Sequence, residues 1–463
     1  MPRFNLLLCW TAILVSLLCY WKSSHSPHNA YFAEALDTIH ERGLEKMSRQ
    51  ELFDAAIEGM AQAHDEHSHF ISQNRRTSYV NELEQKLTGI GVLFQHTDDG
   101  LVVANTIVGT PSPAHDAGML RGDRIIKING ESVRGLSSQE AVSRIGGPSG
   151  SVVTLTVERE GEEKPIPLEV TRTNIRLDSV MGDYRTKDGV WEHRLATDPR
   201  IAYFRLEGFR NQSTKEIASA LAGLKKNGQL QAAIIDVRDN GGGFLDTAIE
   251  ISNIFTDKGK IVETRGRDDL VQEVALATAE HSHLDFPVVV LVNGNSASAS
   301  EIFSACLQDH QRATVIGSRT FGKGYVERMI PMERNRSILK LTTATYWRPN
   351  GKNIHRRKGL TDEDVWGVQP DEGMEVRMTP AQNARRREQR SIRDAFREHR
   401  KLDEDPIDDP QLKKAVEFLQ SQLDGTAADD KVAPKDSGET PPAKDHAGPA
   451  DPDSPQPNTG SSS

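Results

Sequence analysis

Cysteine is scarce: the 463-residue chain has three, of which Cys9 and Cys19 fall in the first twenty residues and only Cys306 in the body. No intrachain disulfide can therefore staple the folded part, and stability must come from packing. Positive charge is short as well, with 57 basic against 67 acidic residues and a net charge of -10. No global field exists to draw in nucleic acid or anionic lipid, so any basic function must be local. Long hydrophobic runs are missing beyond the leader, and the 36% hydrophobic fraction with a mean hydropathy of -0.55 excludes a polytopic membrane protein. What remains is enough chain for roughly three folding units.

The start explains two of the cysteines. Arg3, an apolar run from Leu6 to Trp21, Lys22 and a polar exit have the order of an export signal. The run is shorter than the ~20 residues of a comfortable membrane span, while Pro27 after Ser24-His25-Ser26 is a poor cleavage context. Residues 1–26 are read as a signal peptide or a signal anchor, both readings standing, and the chain is expected to be extracytoplasmic.

Residues 30–86 are predicted to be helical, because Phe32, Leu36, Ile39, Leu52, Ile57 and Met60 recur at three- and four-residue steps. His64, His67 and His69 sit close together in this region without cysteines or suitably spaced carboxylates, and are read as solvated or structural rather than metal ligands. From Leu87 the pattern turns to short strands, including Gly100–Val103 and Ile107-Val108. The turn Arg121-Gly122-Asp123 precedes an alternating strand that ends in Asn129-Gly130, and a helix over 138–145 and a strand over 152–158 follow.

The segment 87–172, with its string GMLRGDRIIKINGESV, resembles a PDZ domain. In that resemblance the Gly89-Ile90-Gly91-Val92 stretch captures a C-terminal carboxylate through backbone N–H groups, and the adjoining strand edge pairs with an extended peptide. The plainer alternative is that these glycines only permit a tight turn.

Residues 173–378 alternate strand and helix signals. The continuous apolar runs 232–237 and 287–292 read as strands buried on both faces, ending at Arg238-Asp239-Asn240-Gly241-Gly242-Gly243 and at Asn293-Gly294. Sites in such sheets form beyond the carboxyl ends of the strands, where both turns lie. Residues 379–424 are predicted to be two helices. The first is arginine-rich (Arg385, Arg386, Arg387, Arg390, Arg393) but interleaved with acids and without an aromatic platform, so it is read as solvated or protein-facing. The second carries an apolar stripe, Leu412, Ala415, Val416 and Leu419, expected to dock on the core. Residues 425–463, rich in Pro, Asp, Ala and Ser, are expected to be a disordered tail.

Chemistry concentrates in Asn293-Gly294-Asn295-Ser296-Ala297-Ser298-Ala299-Ser300-Glu301 and in Phe321-Gly322-Lys323-Gly324. Small residues between a buried strand and a helix allow a sharp turn that exposes one hydroxyl and leaves N–H groups free at the helix start. A serine there needs a base, and a lysine serves only where a neutral amine exists near neutral pH. Lys323, in its glycine-flanked setting, fits. No Gly-x-Ser-x-Gly elbow occurs, which argues against an α/β-hydrolase.

With these motifs together, residues 30–423 resemble the carboxy-terminal processing peptidases, tail-specific serine proteases of family S41. The resemblance implies an α/β peptidase core with a mixed sheet and crossover helices, an inserted PDZ domain, a helical N-terminal region and a disordered C-terminal tail. It makes Ser298 the nucleophile and Lys323 the base, with Ser296 and Ser300 as the alternatives lacking the family's spacing. Ala299 and a glycine, Gly242 or Gly243, would supply the oxyanion hole. Asp309 matches a position sometimes counted with the polar relay, and is read as standing behind the reacting groups rather than touching them. The chain carries Glu327 where the family has an orienting glutamine, and Gly241 where it often has proline. An ionised carboxylate beside Lys323 favours the ammonium, so activity is expected to rise toward alkaline pH. The implied activity is endoproteolysis near protein C-termini, without metal or organic cofactor, on protein substrates and not nucleic acid. Oligomerisation is left open. A non-catalytic PDZ scaffold on a degenerate peptidase core is the competing reading.

Overall fold

The structure, a computed structural model, describes residues 10–16, 27–83, 86–97, 100–106, 112–186, 189–228, 230–279, 285–394 and 407–429. Most of the leader, Cys9 and Cys19, the Ile107-Val108 strand and the tail from 430 lie outside them. Among the described residues no helix is long and apolar enough to cross a membrane. Those at 10–16 form an exposed helical stretch.

Three helices open the chain, α1 (Pro27–Arg42), α2 (Arg49–His64) and α3 (Gln73–Leu83). Ser48 starts α2 with a capping box: its Oγ accepts from the Glu51 N–H, and the Glu51 carboxylate accepts from the Ser48 N–H. The region is not purely helical. His69–Ile71 (β1) pairs antiparallel with a strand some 270 residues away, a long-range partnership that no local periodicity announces. The three histidines have protein partners: His69 bonds Glu58, His64 reaches the Thr342 carbonyl and His67 lies edge-on to Tyr325. No metal-holding cluster of His, Cys, Asp or Glu occurs among the described residues.

Lys86–Gly89 (β2) leads into a separate β-rich unit. Its sheet contains β3 (Leu93–Thr97), β4 (Gly100–Asn105), β5 (Arg124–Ile128), β6 (Glu131–Ser132), β7 (Val152–Glu158) and β8 (Ile166–Thr171), with β3 at one edge. The helices α4 (Pro113–Asp116) and α5 (Ser138–Ile145) cover it. Alternation along β7 places Val153, Leu155 and Val157 in a core shared with Leu101, Ile125 and Met119. The chain leaves through β9 (Thr173–Arg176), which pairs antiparallel with β2, so entry and exit form one two-stranded ribbon.

The region that follows holds two five-stranded sheets and one two-stranded ribbon. Short pieces β10 (Val180–Met181), β11 (Tyr184–Arg185) and β12 (Trp191–Glu192) precede β13 (Ile201–Leu206), α6 (Ser213–Lys226), β14 (Ala232–Asp236), α7 (Leu245–Phe255), β15 (Lys260–Arg265), β16 (Val271–Leu276), β17 (Val288–Val292), α8 (Ala299–Asp309), β18 (Thr314–Gly317), β19 (Tyr325–Met332) and β20 (Ser337–Trp347). One sheet has the order β10-β13-β14-β17-β18, parallel from β13 through β18, and the other has β1-β20-β15-β16 with β19 against β20. The parallel strands are buried on both faces, as continuous apolar runs require. Phe204, Ile235 and Val290 face Ile217, Leu221, Ile251 and Phe303, while Tyr203, Ile234 and Leu291 face Ala415 and Leu419 of the last helix.

That last helix, α10 (Pro410–Asp429), is seated by Asp409, whose carboxylate accepts from the Leu412 N–H, and docks through the expected stripe. It runs a few residues past the boundary placed at 424. The arginine-rich helix α9 (Pro380–Asp394) turns inward: Arg386 pairs with Asp239, Arg390 and Arg393 with Asp183, and all three arginines are buried. A phosphate backbone would find these guanidiniums already committed.

Candidate active site

Strands β14 and β17 end side by side, and their following turns form one wall of a cleft. Ser298 closes the β17 turn at the start of α8 with φ 55 and ψ -115, a left-handed region that costs a non-glycine residue about 1–3 kcal/mol. The strain turns its side chain into the cleft while Ser296 and Ser300 point away. Ser296 Oγ donates to the Val237 carbonyl at 2.7 Å and Ser300 Oγ to the Asn240 carbonyl at 2.8 Å, both fully buried. Those two serines are spent on joining the turns.

The cleft, roughly 660 Å³, is lined by Ser298, Lys323, Glu327, Lys340, Tyr346 and the glycines 241–243, among others. Gly242 is obligatory: its φ is 108, and a Cβ there would lie 2.9 Å from the Ser298 Cβ. Ala299 occupies the first position of α8, where an N–H has no intrahelical acceptor. The Gly242 N–H is occupied by Asn240 Oδ1 at 2.9 Å. Gly243 packs against Phe209, whose carbonyl accepts from the Phe244 N–H. Of the backbone groups named for an oxyanion hole, Ala299 and Gly242 thus adjoin Ser298, with Gly242 held back by Asn240, while Gly243 lines the cleft against Phe209.

Glu301 organises the centre, a role the sequence reading did not assign. This carboxylate is fully buried and accepts four hydrogen bonds: from the Ser298 N–H at 2.9 Å, Thr320 Oγ1 at 2.6 Å, the Gly322 N–H at 2.7 Å and the Lys323 N–H at 2.8 Å. Burial pushes its pKa above the usual carboxylate range, and the four bonds pull the other way. Its place three residues after Ser298 is that of the acid in a capping box, a signal present in the sequence. Gly322 must be glycine, since φ is 87 and a Cβ would meet the Arg356 side chain at 2.7 Å.

Lys323 is less isolated than its glycine-rich flanks suggested. Its Nζ lies 2.8 Å from Glu327 Oε1, with Lys340 Nζ 3.9 Å from the same oxygen. Tyr346 lines the same cleft as Ser298, and its hydroxyl is pushed well above its usual pKa by burial and by the Glu327 charge. Among the described residues no hydrogen bond joins Ser298 to Lys323. Lys340 and Tyr346 lie on β20, too far along the chain for a local motif to reveal them.

Asp309 does not belong to the cleft. It ends α8, about 16 Å along the helix from Ser298, and is buried against Arg348 at 2.6 Å with Asn350 completing its bonds. Helical phase explains this, because the motif ran along a helix whose far end anchors the fold. In the PDZ unit, Gly89 belongs to the β2–β9 ribbon, paired with Thr173, rather than to a free loop. Ile90 is buried and its carbonyl accepts from the Ala114 N–H, Gly91 has φ 74, and Val92 precedes edge strand β3.

Comparison with known proteins supplies the class. Residues 200–374 match the model of peptidase family S41 and residues 88–170 that of the PDZ domain. A carboxy-terminal-processing protease of Bartonella bacilliformis is 34% identical over 341 residues, covering 73% of this chain and 74% of that protein. A CtpA-like serine protease of Staphylococcus aureus is 33% identical over 330 residues, covering 70% of this chain and 60% of that one. Among solved structures, the photosystem II D1 C-terminal processing protease aligns over 74% of this chain and 92% of its own, at 23% identity and a TM-score of 0.41. The chain belongs to the carboxy-terminal-processing serine proteases of peptidase family S41. It is a serine peptidase that acts on proteins and carries a PDZ domain.

Proposed function

We propose that the chain is an extracytoplasmic endopeptidase that cleaves proteins near their C-termini with Ser298 as nucleophile and Lys323 as general base, the PDZ domain holding the substrate's C-terminus. One observation carries this reading: a single carboxylate, Glu301, bonds the backbone of both residues in a cleft where Ser298 is the serine turned inward. Ser298 attacks the scissile carbonyl once Lys323 has turned from Glu327 toward its hydroxyl and taken the proton. The amine then returns that proton to the leaving nitrogen, and water hydrolyses the acyl-enzyme. Negative charge on the tetrahedral carbonyl oxygen falls to the Ala299 N–H and to Gly242 or Gly243, donors of a kind worth about 2.7–4 kcal/mol each. The pairing of Lys323 with Glu327 makes this geometry a resting one.

In the PDZ unit, Ile90, Gly91 and Val92 would meet the carboxylate, Gly89 would hold the loop to the ribbon, and edge strand β3 would pair with the peptide. The export-type leader supports the location.

Cleavage of an unfolded protein by the wild type, with a loss of at least ~10³-fold in Ser298→Ala and in Lys323→Met and unchanged thermal unfolding, is the expected result. Retained cleavage in either variant overturns the assignment. Absence of cleavage by the wild type would favour the scaffold reading, to which the Lys323–Glu327 pairing lends its one observation.

A further inference from the structure

Three ionisable side chains meet in the cleft with unequal charge. Lys323 and Lys340 both address Glu327 Oε1, at 2.8 and 3.9 Å, and the three side chains are 23%, 23% and 11% exposed. Fully ionised, they carry one positive charge in excess. Loss of one proton therefore leaves a matched ion pair and a neutral amine. Were Lys340 absent, loss of the same proton would strand the nearly buried Glu327 carboxylate without a partner, a costly state.

Resting on the assignment of Lys323 as base, we propose that Lys340 is a positioning residue that takes over the Glu327 carboxylate when Lys323 turns to Ser298, so that the base is neutral without leaving a buried charge unpaired. The placement suits an exchange. Glu327 lies on β19 and Lys340 on the adjoining β20, where Lys340 sits opposite Met329, two residues along from Glu327. Lys340 is also opposite His69 of β1, so its backbone is fixed from both sides. Burial disfavours the Lys340 ammonium and the Lys323 charge adds to this, while Glu327 and Asp65 act oppositely. The net direction is downward, so the carboxylates offset the burial of Lys340 without cancelling it.

Other ionisable groups face the cluster. Tyr346 comes from β20, Asp65 from the loop before β1, and Glu301 from α8. Across the cleft stand Tyr79, Glu207, Arg210, Asp246 and Glu273. The neighbouring acids favour ammonium forms, so the exchange works against them and Lys340 is needed.

The test is kcat/KM against pH for cleavage of an unfolded protein by the full chain, for wild type, Lys340→Met, Lys340→Arg, Glu327→Gln and Glu327→Gln/Lys340→Met. The acid limb of Lys340→Met is expected to move to higher pH, with roughly tenfold lower kcat/KM on that limb and a plateau close to wild type. Lys340→Arg, which keeps the cation, restores the limb. Once Glu327 is neutral there is no carboxylate to hand over, so adding Lys340→Met to Glu327→Gln shifts the limb much less. A Lys340→Met limb superimposable on wild type overturns the proposal. So does a uniform loss at every pH, the mark of a structural residue, or a shift of equal size in the Glu327→Gln background. Should Lys340→Met fail to fold by thermal unfolding, Lys340→Gln supplies the same readout. Ser298→Ala and Lys323→Met separate the two levels: if they keep activity, both readings fall, and if they lose it while Lys340→Met leaves the limb in place, only the handover does.

Discussion

Two clusters of cations and carboxylates lie near the ends of the core strands, and they are built to opposite ends. At Arg238 the carboxylates outnumber the cation and every donor nitrogen is used: the guanidinium donates to Asp236, Asp409 and Gln411 at 2.6–3.0 Å, and the three charged side chains are 1–4% exposed. Arginine keeps its proton throughout any accessible pH, and its planar fork satisfies two carboxylates at once. At Lys323 the cations outnumber the carboxylate, the cation is a lysine that can lose its proton, and the cluster opens on a cleft. A saturated arginine network holds structure, whereas a lysine cluster with one proton to spare can do chemistry.

Arg238→Met, the largest break in this contrast, leaves Asp236 and Asp409 buried and uncompensated. A loss of about 3–5 kcal/mol is expected, because removing one partner of a buried pair strands the other. Denaturant unfolding measures it, and a loss below about 1 kcal/mol would place the cluster among ordinary surface pairs.

Glu327→Gln sharpens the other half. Removing the carboxylate removes what favours the Lys323 ammonium, so the acid limb of the pH–rate profile moves to lower pH and activity at neutral pH rises several-fold. Superimposable profiles for wild type and variant would show that Glu327 does not govern the base.

Smallest is the response to acid. Burial acts to raise the Asp183 carboxyl, but Arg393 and Arg390 overcome it and hold it below the ordinary range, and Arg238 does the same for Asp236 and Asp409. Carboxyls held low contribute stability that is complete above about pH 5 and lost as pH falls through their folded values. Arg393→Met is expected to shift acid unfolding to higher pH, and an unchanged midpoint would remove Asp183 from the account. Glu301, raised by burial, has the opposite sign: its contribution is greatest in acid and declines as pH rises through its folded value.

Much of this was legible in the chain. Val152–Glu158 alternates and Ser138–Ile145 follows a Ser-x-x-Glu start, so the PDZ elements could be bounded closely. Ser298 and Lys323 stood in short motifs because each needs its own turn or glycines. Other parts depended on pairing across long separations. Strand β1 is only three residues and is a strand because β20 lies beside it. Lys340 looks like any cation on an alternating strand until Glu327 is seen diagonally across from it on β19. Asp309 misled because a motif read linearly hides that α8 carries its two ends to different environments. Arg386, Arg390 and Arg393 showed a basic helix, but not the aspartates on distant turns that neutralise it.

The ribbon of β2 and β9 has a consequence for how the molecule is assembled. Gly89 and Thr173 are paired neighbours, and Thr88 Oγ1 donates to Asn174 Oδ1 at 2.9 Å beside them. To the peptidase core, everything from 90 to 172 is one loop whose ends already meet. The entropy of closing a loop grows only with the logarithm of its length, so carrying a whole domain there costs little more than carrying a longer hairpin. Paired strands lie about 4.8 Å apart, so the two ends of the insert leave the core side by side and the core is interrupted at a single place.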